Sequence, residues 1–521
     1  MTAVSRPTER RAVRLLRLAD ALCDRLYTQP FNPLYQSGTI VVVLYLVLLV
    51  TGLWLMLFYR VGSPWESMAR VTADPLTGNW VRALHRYASD AAVVATVIHA
   101  FRMFAQGRSW GPRTLAWVTG CLLLFLTFIC GWTGYVMVWD TFALLLAQTG
   151  ARMLDMLPVL SEPTSRAFTG EQPLPMAFFF LNLFAHIGIP LAIGAMFWLH
   201  LHRLARPNLL PPRRLTWMVI GVLAATAILR PLVMAPKANP LVLPRDVPAD
   251  LFYAFWIPIV GAIGDRNALF VGTLFGGLLL AVPRFMRRRG AETDASSVDE
   301  QLCVGCNQCA LDCPYGAIAM VEREGRGSTL VARVDPSLCV SCGICAGSCP
   351  PMGVGPPGRT GRDQMTRVRR FVNERARRAG EIVVVCCQQS AAAFAPALAA
   401  AGGAAYPIDC AGNLHTSVIE LLLRSGAGGI LVLACPSRDC WHREGPRWLV
   451  ERVYHGREAE LQARVSHARV RVEHVNSGDR ARAIEALRAF ARDVAALDRP
   501  AIEEGLVEDT ECATAGAESE R

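Results

Sequence analysis

Charge is scarce in this sequence. Asp, Glu, Lys and Arg make up 18% of the 521 residues against 52% hydrophobic, and the apolar residues are concentrated before residue 290. A deficit placed in one half of the chain excludes a single soluble globule and points to a membrane domain followed by soluble ones. A long apolar run is missing from the start, which instead carries Arg6, Arg10, Arg11, Arg14 and Arg17, with no such run before Thr39. A cleaved signal peptide is therefore not expected, and an amphipathic surface helix is. The 17 cysteines do not form a disulfide framework, because eight of them fall in one metal-binding pattern and must stay reduced. The net charge of +10 would suit nucleic acid, but the arginines lie beside apolar spans, so orientation in a membrane explains them and no nucleic-acid partner is expected.

The stretch from Cys303 to Pro350 reads C-x2-C-x2-C-x3-C-P twice: Cys303, Cys306, Cys309 and Cys313-Pro314, then Cys339, Cys342, Cys345 and Cys349-Pro350. Structural zinc uses two pairs of ligands, whereas two complete runs, each closed by proline, indicate two [4Fe-4S] clusters. The fourth cysteine of each run serves the other cluster. One cluster is then assigned to Cys303, Cys306, Cys309 and Cys349, and the second to Cys339, Cys342, Cys345 and Cys313. The stretch resembles the two-cluster bacterial ferredoxins, which implies single-electron transfer without bond chemistry.

Apolar stretches long enough to span a bilayer run at roughly Gly38 to Tyr59, Val81 to Ala105, Thr114 to Val138, Met176 to Leu201, Leu215 to Met234 and Leu269 to Phe285, and are called spans A to F. Arginines cluster before A, between B and C (Arg102, Arg108, Arg113), between D and E (Arg203, Arg206, Arg213, Arg214) and after F (Arg284, Arg287, Arg288, Arg289). By the positive-inside rule the N-terminus and everything after F face the cytoplasm of a prokaryotic cell membrane. Spans B and D each carry two histidines fourteen residues apart, His85 and His99, His186 and His200. Fourteen residues are close to four helical turns, which puts both members on one face about 21 Å apart. Two helices with matching pairs are suited to two haems, with His85 opposite His186 and His99 opposite His200; a lone membrane histidine is more often a buried hydrogen-bond partner. Gly38 and Gly52 in A, and Gly120 and Gly134 in C, repeat the spacing. They fit close approach of a flat macrocycle, with small-residue helix packing as the other reading. Arg82 and Arg102 lie one turn from His85 and His99, placed for haem propionates; for Arg102 a topology role is the alternative.

The spans resemble the cytochrome b of Rieske-type quinol oxidoreductases, most closely its chloroplast and cyanobacterial branch. The motifs are W-V-R-A-L-H from Trp80, H-A-F-R from His99, W-V-T-G from Trp117, T-G-Y-V-M-V-W-D from Thr133, and A-N-P-L-V-L-P-R-D-V-P-A-D-L-F-Y from Ala238. The resemblance implies two haem b and a quinone site in which Asp250 takes the place of a proton-accepting glutamate; an ordinary loop carboxylate is the alternative. It departs at Val138, where the family has proline, and at Gln36, where the photosynthetic branch has the cysteine for an extra haem, so that haem is not expected. The family's helices after F are not expected either. His202 is either an inner-surface quinone contact or a solvated interfacial histidine. The resemblance admits a homodimer.

The basic stretch Arg359 to Arg378 reads as a helix that either touches lipid headgroups or connects domains. From Glu381 strands and helices alternate: strands at Ile382, Tyr406, Ile430 and around Val470, and helices in the alanine-rich stretch, from Leu414 and from Asp479. This argues for a small parallel α/β sheet. Cys386, Cys387, Cys410 and Cys435 fall at or just beyond strand ends, with Cys440 five residues on, and carboxyl ends of parallel strands converge on a crevice. Buried cysteines acting as small apolar residues are the alternative. D-C-A-G-N-L-H from Asp409 and A-C-P-S-R-D-C-W-H from Ala434 resemble the delta iron-sulfur subunit of methyl-viologen-reducing hydrogenase. That implies a [2Fe-2S] cluster on Cys410, Cys435, Cys440 and either Cys386 or Cys387, and electron transfer to a flavin subunit of heterodisulfide reductase. His415 and His442 are either surface polar residues or ligands. Cys23, Cys121, Cys130 and Cys512 have no partner by spacing.

The expected architecture is an all-α transmembrane di-haem bundle (1–290), a ferredoxin-like domain with two [4Fe-4S] clusters (298–355), a basic linker (356–380), an α/β domain with a parallel sheet (381–498) and a disordered tail (499–521). The expected function is electron exchange between the quinone pool and a cytoplasmic iron-sulfur flavoprotein, hydrogenase or formate dehydrogenase. A membrane-anchored relay without its own quinone site is the alternative.

Overall fold

The computed structural model describes residues 7–157, 162–168, 174–202, 204–242, 250–286, 294–324, 329–374 and 380–497. The tail with Cys512, and Arg6, Arg203, Arg287, Arg288 and Arg289, lie outside them. The chain divides into two compact units, Met1–Glu292 and Thr293–Arg521.

The first unit is helical: α1 (Pro7–Tyr27), α2 (Ser37–Met56), α3 (Pro64–Ala73), α4 (Gly78–Ala105), α5 (Thr114–Val138), α6 (Thr141–Asp155), α7 (Met176–Leu201), α8 (Arg213–Leu229), α9 (Trp256–Ile263) and α10 (Asp265–Met286). Among the described residues five segments, α2, α4, α5 with the turn before it, α7 and α10, are long and apolar enough to cross a membrane. Span E was expected to reach Met234. Its helix α8 has 17 residues and stops at Leu229, because Pro231 disfavours helical backbone at the residue before it. At about 1.5 Å per residue it is still about 26 Å long, near the thickness of the hydrocarbon core. Gly264, at φ +81°, separates α9 from α10 in a conformation that costs glycine little.

Helix α2 packs along α4 and α5 along α7, making a bundle of the four elements that carry the glycine and histidine pairs. Helix α1 is fastened to it by an ion pair between Asp20 and Arg102, and Asp24 accepts hydrogen bonds from Asn32 at 2.8 Å and Tyr35 at 2.9 Å. Its Leu15, Leu18, Leu22 and Leu26 remain exposed, the apolar stripe of an amphipathic helix.

The second unit begins with β1 (Ser297–Val298), α11 (Gln308–Leu311), β2 (Ile318–Glu322), β3 (Leu330–Val334), α12 (Ile344–Gly347) and β4 (Val354–Gly355). β1 pairs antiparallel with β4, and β2 with β3. Each cysteine run turns into its short helix through a left-handed residue, Asn307 at φ 66° and Gly343 at φ 77°, types that tolerate that region.

There follow α13 (Gly361–Glu374), β5 (Ile382–Cys387), α14 (Ala395–Ala400), β6 (Ala404–Ile408), α15 (Thr416–Arg424), β7 (Gly429–Ala434), α16 (Gly445–Tyr454), β8 (Val470–His474) and α17 (Arg480–Ala495). The four strands form a parallel sheet in the order β6-β5-β7-β8. Because side chains alternate along a strand, Val383 and Val385 face a core with α13 and α15, while Ile382, Val384 and Cys386 face a core with α14 and α17. The stretch expected as a connector is part of this packing, since Val368 of α13 is fully buried and Met365 and Phe371 pack beside it.

Candidate metal centres

In the helical unit each glycine lies against a histidine of the neighbouring helix. A Cβ would stand 2.9 Å from the His99 ring at Gly38, 3.2 Å from the His85 ring at Gly52, 3.3 Å from the His200 ring at Gly120 and 2.9 Å from the His186 ring at Gly134. Here, then, the glycines admit the imidazoles themselves. The His85 and His186 rings stand 6.5 Å apart between centroids. Two metal-imidazole bonds of about 2 Å, plus the distance from each nitrogen to its ring centre, require about 6.3 Å. His200 lies close enough to His99 to act on it electrostatically.

The residue before each glycine completes the arrangement. Oγ1 of Thr51 lies 2.8 Å from His85 Nδ1, that of Thr119 3.0 Å from His200 Nδ1 and that of Thr133 3.0 Å from His186 Nδ1, while Ser37 Oγ is 3.4 Å from His99 Nδ1. The three threonine hydroxyls donate to carbonyls of their own helices, Val47 at 2.6 Å, Leu115 at 2.7 Å and Cys130 at 2.8 Å. With their protons spent there, they accept from the imidazoles, and His186 Nδ1 also donates to the Cys130 carbonyl at 2.9 Å. This puts the ring proton on Nδ1 and leaves the Nε2 lone pair for a metal, the usual outer support of a histidine ligand. Sequence reasoning missed these hydroxyls, although Ser-Gly or Thr-Gly at all four positions was the signal for them.

The arginines are engaged within the protein. Arg82 donates to Thr72 at 3.0 Å, and the guanidinium of Arg102 pairs with Asp20 and lies 5.1 Å from the centre of the Tyr35 ring. His202 is exposed and rests against Trp198, ring centroids 5.4 Å apart.

Asp250 docks on α4 and α5. Its carboxylate meets Arg86 at 2.5 Å, accepts from the Tyr135 hydroxyl, and accepts from the backbone N–H groups of Phe252 and Tyr253 at 2.7 Å each. Arg86 also pairs with Asp90. Gly131 makes room for Tyr253, since a Cβ there would overlap its ring, and the Tyr253 hydroxyl lies 2.5 Å from Ser89 Oγ. Burial alone would raise the Asp250 carboxyl, but the Tyr135 and backbone hydrogen bonds, with Arg86, outweigh it and hold it below the ordinary carboxylate range.

In the second unit the eight ferredoxin cysteines ring two cavities. One is lined by Cys303, Cys306, Cys309 and Cys349; the other by Cys313, Cys339, Cys342 and Cys345. Each cavity thus takes its fourth cysteine from the other run. Burial pushes the Cys309 and Cys342 thiols up and Cys345 up to about 12. Thiolates in such places need cationic iron to form. Among the described residues no group of three or more His, Cys, Asp or Glu has the spacing of a site for one metal ion.

A third group sits at the carboxyl ends of β5, β6 and β7, where β6 flanks β5 on one side and β7 on the other. Cys387 ends β5, Cys435 follows β7, and their sulfurs are 3.7 Å apart. Two thiolates on one tetrahedral metal, each bonded at about 2.3 Å, stand about 3.8 Å apart. Cys440 packs with both and lies within hydrogen-bond reach of Cys410 and Cys435. Cys386 points into the opposite core, where its thiol donates to the Val384 carbonyl at 3.4 Å, so of the two alternatives only Cys387 faces the group. His415 is neither at the surface nor beside these thiols. It is buried, accepts from the Ser417 backbone N–H at 3.1 Å through Nδ1, and donates from Nε2 to the Cys349 carbonyl at 3.2 Å. Burial pushes its pKa down to about 4. His442 is half-buried, and its backbone N–H donates to the Cys440 sulfur.

Residues 22–207 match the family described as Cytochrome b/b6/petB, residues 302–352 a 4Fe-4S dicluster domain, and residues 382–498 the methyl-viologen-reducing hydrogenase delta subunit. The chain is 31% identical to Cytochrome b6 of Porphyra purpurea over 147 residues, 28% of this chain and 68% of that protein. It also overlaps a solved structure titled Hyperthermophilic respiratory Complex III, over 48% of this chain and 75% of that one, at 16% identity and a TM-score of 0.39. The chain belongs to the cytochrome b/b6 family, extended by iron-sulfur domains into a multi-pass membrane electron-transfer protein that carries haem b and iron-sulfur clusters.

Proposed function

We propose that this protein exchanges electrons between the quinone pool and a cytoplasmic redox partner of heterodisulfide-reductase, hydrogenase or formate-dehydrogenase type. Two b haems, held by His85 with His186 and His99 with His200, exchange electrons with two [4Fe-4S] clusters and a [2Fe-2S] cluster on Cys387, Cys410, Cys435 and Cys440. The observation that carries the reading is the Ser/Thr-Gly pair beside each imidazole, which for His85, His186 and His200 favours the proton on Nδ1 and leaves the Nε2 lone pair available. Haem supplies one-electron chemistry when bound; the protein's own part is to orient the ligands and exclude water. Asp250, gripped by Arg86 and Tyr135, marks the quinone site and exchanges the substrate proton. With the soluble domains inside, electrons moving outward from a cytoplasmic donor to quinone run with a membrane potential negative inside, about 2.3 kcal/mol per 100 mV for a full crossing. Quinone reduction is therefore the easier direction.

One observation favours the second reading, a relay without a quinone site: a carboxylate held below its ordinary range is a weak base at neutral pH. Asp250→Asn separates the two. Quinone turnover by the prereduced protein should fall at least tenfold with haem content unchanged if Asp250 exchanges the proton. Equal turnover would support a site elsewhere, and no turnover in the parent protein would support the relay.

A further inference from the structure

Between the ferredoxin cysteines and the third cysteine group lies a charge that pairing alone does not explain. Arg452, on α16, is fully buried. Its Nη1 donates to Ser348 Oγ at 3.0 Å and its Nη2 to the carbonyls of Gly412 at 2.9 Å and Leu414 at 3.3 Å. Its Nε has no hydrogen-bond partner among the described residues. Ser348 in turn donates to Asp312 at 2.7 Å, and the other oxygen of Asp312 accepts from Arg457 at 2.5 Å. Arg457 pairs with Asp312, whereas Arg452 reaches that carboxylate only through the Ser348 hydroxyl, so among the described residues the Arg452 charge has no carboxylate in direct contact.

The position of this charge is specific. Ser348 immediately precedes Cys349, Asp312 immediately precedes Cys313, and Gly412 follows Cys410 by two residues. Ile344, which lines the cavity of Cys313, Cys339, Cys342 and Cys345, also lies 3.0 Å from where a Cβ of Gly412 would be. A Cβ on Gly347 would stand 2.5 Å from the Gly412 carbonyl oxygen and 2.7 Å from Arg452 Nη2, and one on Gly445 would stand 2.9 Å from the Cys410 sulfur. The two metal-binding regions therefore meet backbone to backbone around the guanidinium, and Cys410 acts on Arg452 electrostatically. Burying an uncompensated cation is costly. A thiolate-ligated cluster on either side supplies the missing negative charge, and reduction adds one more to it.

We propose that Arg452 raises the reduction potentials of the two clusters it lies between, the ferredoxin cluster of Cys313, Cys339, Cys342 and Cys345 and the cluster of Cys387, Cys410, Cys435 and Cys440. This rests on the cluster assignments made above. Net charge and nearby hydrogen bonds are among the terms that set such potentials. Arg452 is a positioning and tuning residue, since it touches neither set of sulfurs.

The test is a redox titration of full-length purified protein followed by electron paramagnetic resonance, comparing the parent with Arg452→Lys, Arg452→Met, Arg457→Met and Asp312→Asn. Arg452→Met and Arg457→Met should lower both potentials, Arg452→Lys should restore most of the loss, and Asp312→Asn should raise them. A staple between domains would not give opposite signs for removal of a cation and of an anion. Unchanged potentials in folded variants with full iron content would overturn the proposal. If Arg452→Met does not assemble, the opposite shifts of Arg457→Met and Asp312→Asn decide it. A parent protein with only the two ferredoxin signals would remove the third-cluster reading, while the ferredoxin shift would still test Arg452.

Discussion

The two units solve the same problem, holding metal away from water, with opposite chemistry. In the bundle the candidate ligands are neutral imidazoles, two per helix, and the protein spends a hydroxyl and a glycine on each. In the second unit they are thiols on turns, and beside them lie the buried Arg452 and Asp312 and the half-buried Arg457. The difference follows from solvent. An ionised ligand inside lipid has little to offset its desolvation, so a neutral donor with a fixed tautomer is preferred. A thiolate next to iron is stabilised by the metal itself, and the surrounding charges then adjust the potential.

The largest effects are expected at the ligands. His186→Ala should remove the haem shared with His85 and leave the other, cutting the haem absorbance of the purified protein to about half. Loss of both haems, or of neither, would contradict the pairing. Cys349→Ala should abolish or convert the cluster of Cys303, Cys306 and Cys309, not that of its own run, as read by iron content and paramagnetic resonance. Next in size, Cys387→Ser should eliminate the third cluster's signal, whereas Cys386→Ser should keep it and cost about 1–3 kcal/mol of stability, a hydroxyl in an apolar core. Smallest is the hydroxyl support. Thr133→Val should weaken haem retention by about 10–100-fold in a haem-transfer assay without altering the clusters. An unchanged rate would mean that the Cys130 carbonyl alone fixes His186.

Much of this was readable because the ligand patterns are local or periodic. The crossed cysteine runs have fixed spacing, and the fourteen-residue histidine and glycine repeats follow from the helical pitch. The choice between Cys386 and Cys387 was not readable, because both faces of β5 are buried and only the structure shows which of them meets Cys435 and Cys440. Other features depend on contacts between distant segments and left no periodic trace. Asp250 meeting Arg86 and Tyr135 joins a loop to two helices, His415 reaches Cys349 across 66 residues, and Arg452 reaches Ser348 across 104. The end of α8 was missed because apolar composition continues past Leu229 while the proline that stops the helix does not change it.

The central claim is that electrons pass between quinone and the iron-sulfur clusters through the haems. It is tested most directly by anaerobic stopped-flow spectroscopy of the full-length protein, its clusters and haems prereduced by a stoichiometric low-potential donor and then mixed with a quinone. The account predicts reoxidation of haems and clusters together, with one quinone consumed per two electrons released and inhibition by a quinone-site ligand. Haems and clusters that stay reduced in the presence of quinone would contradict it.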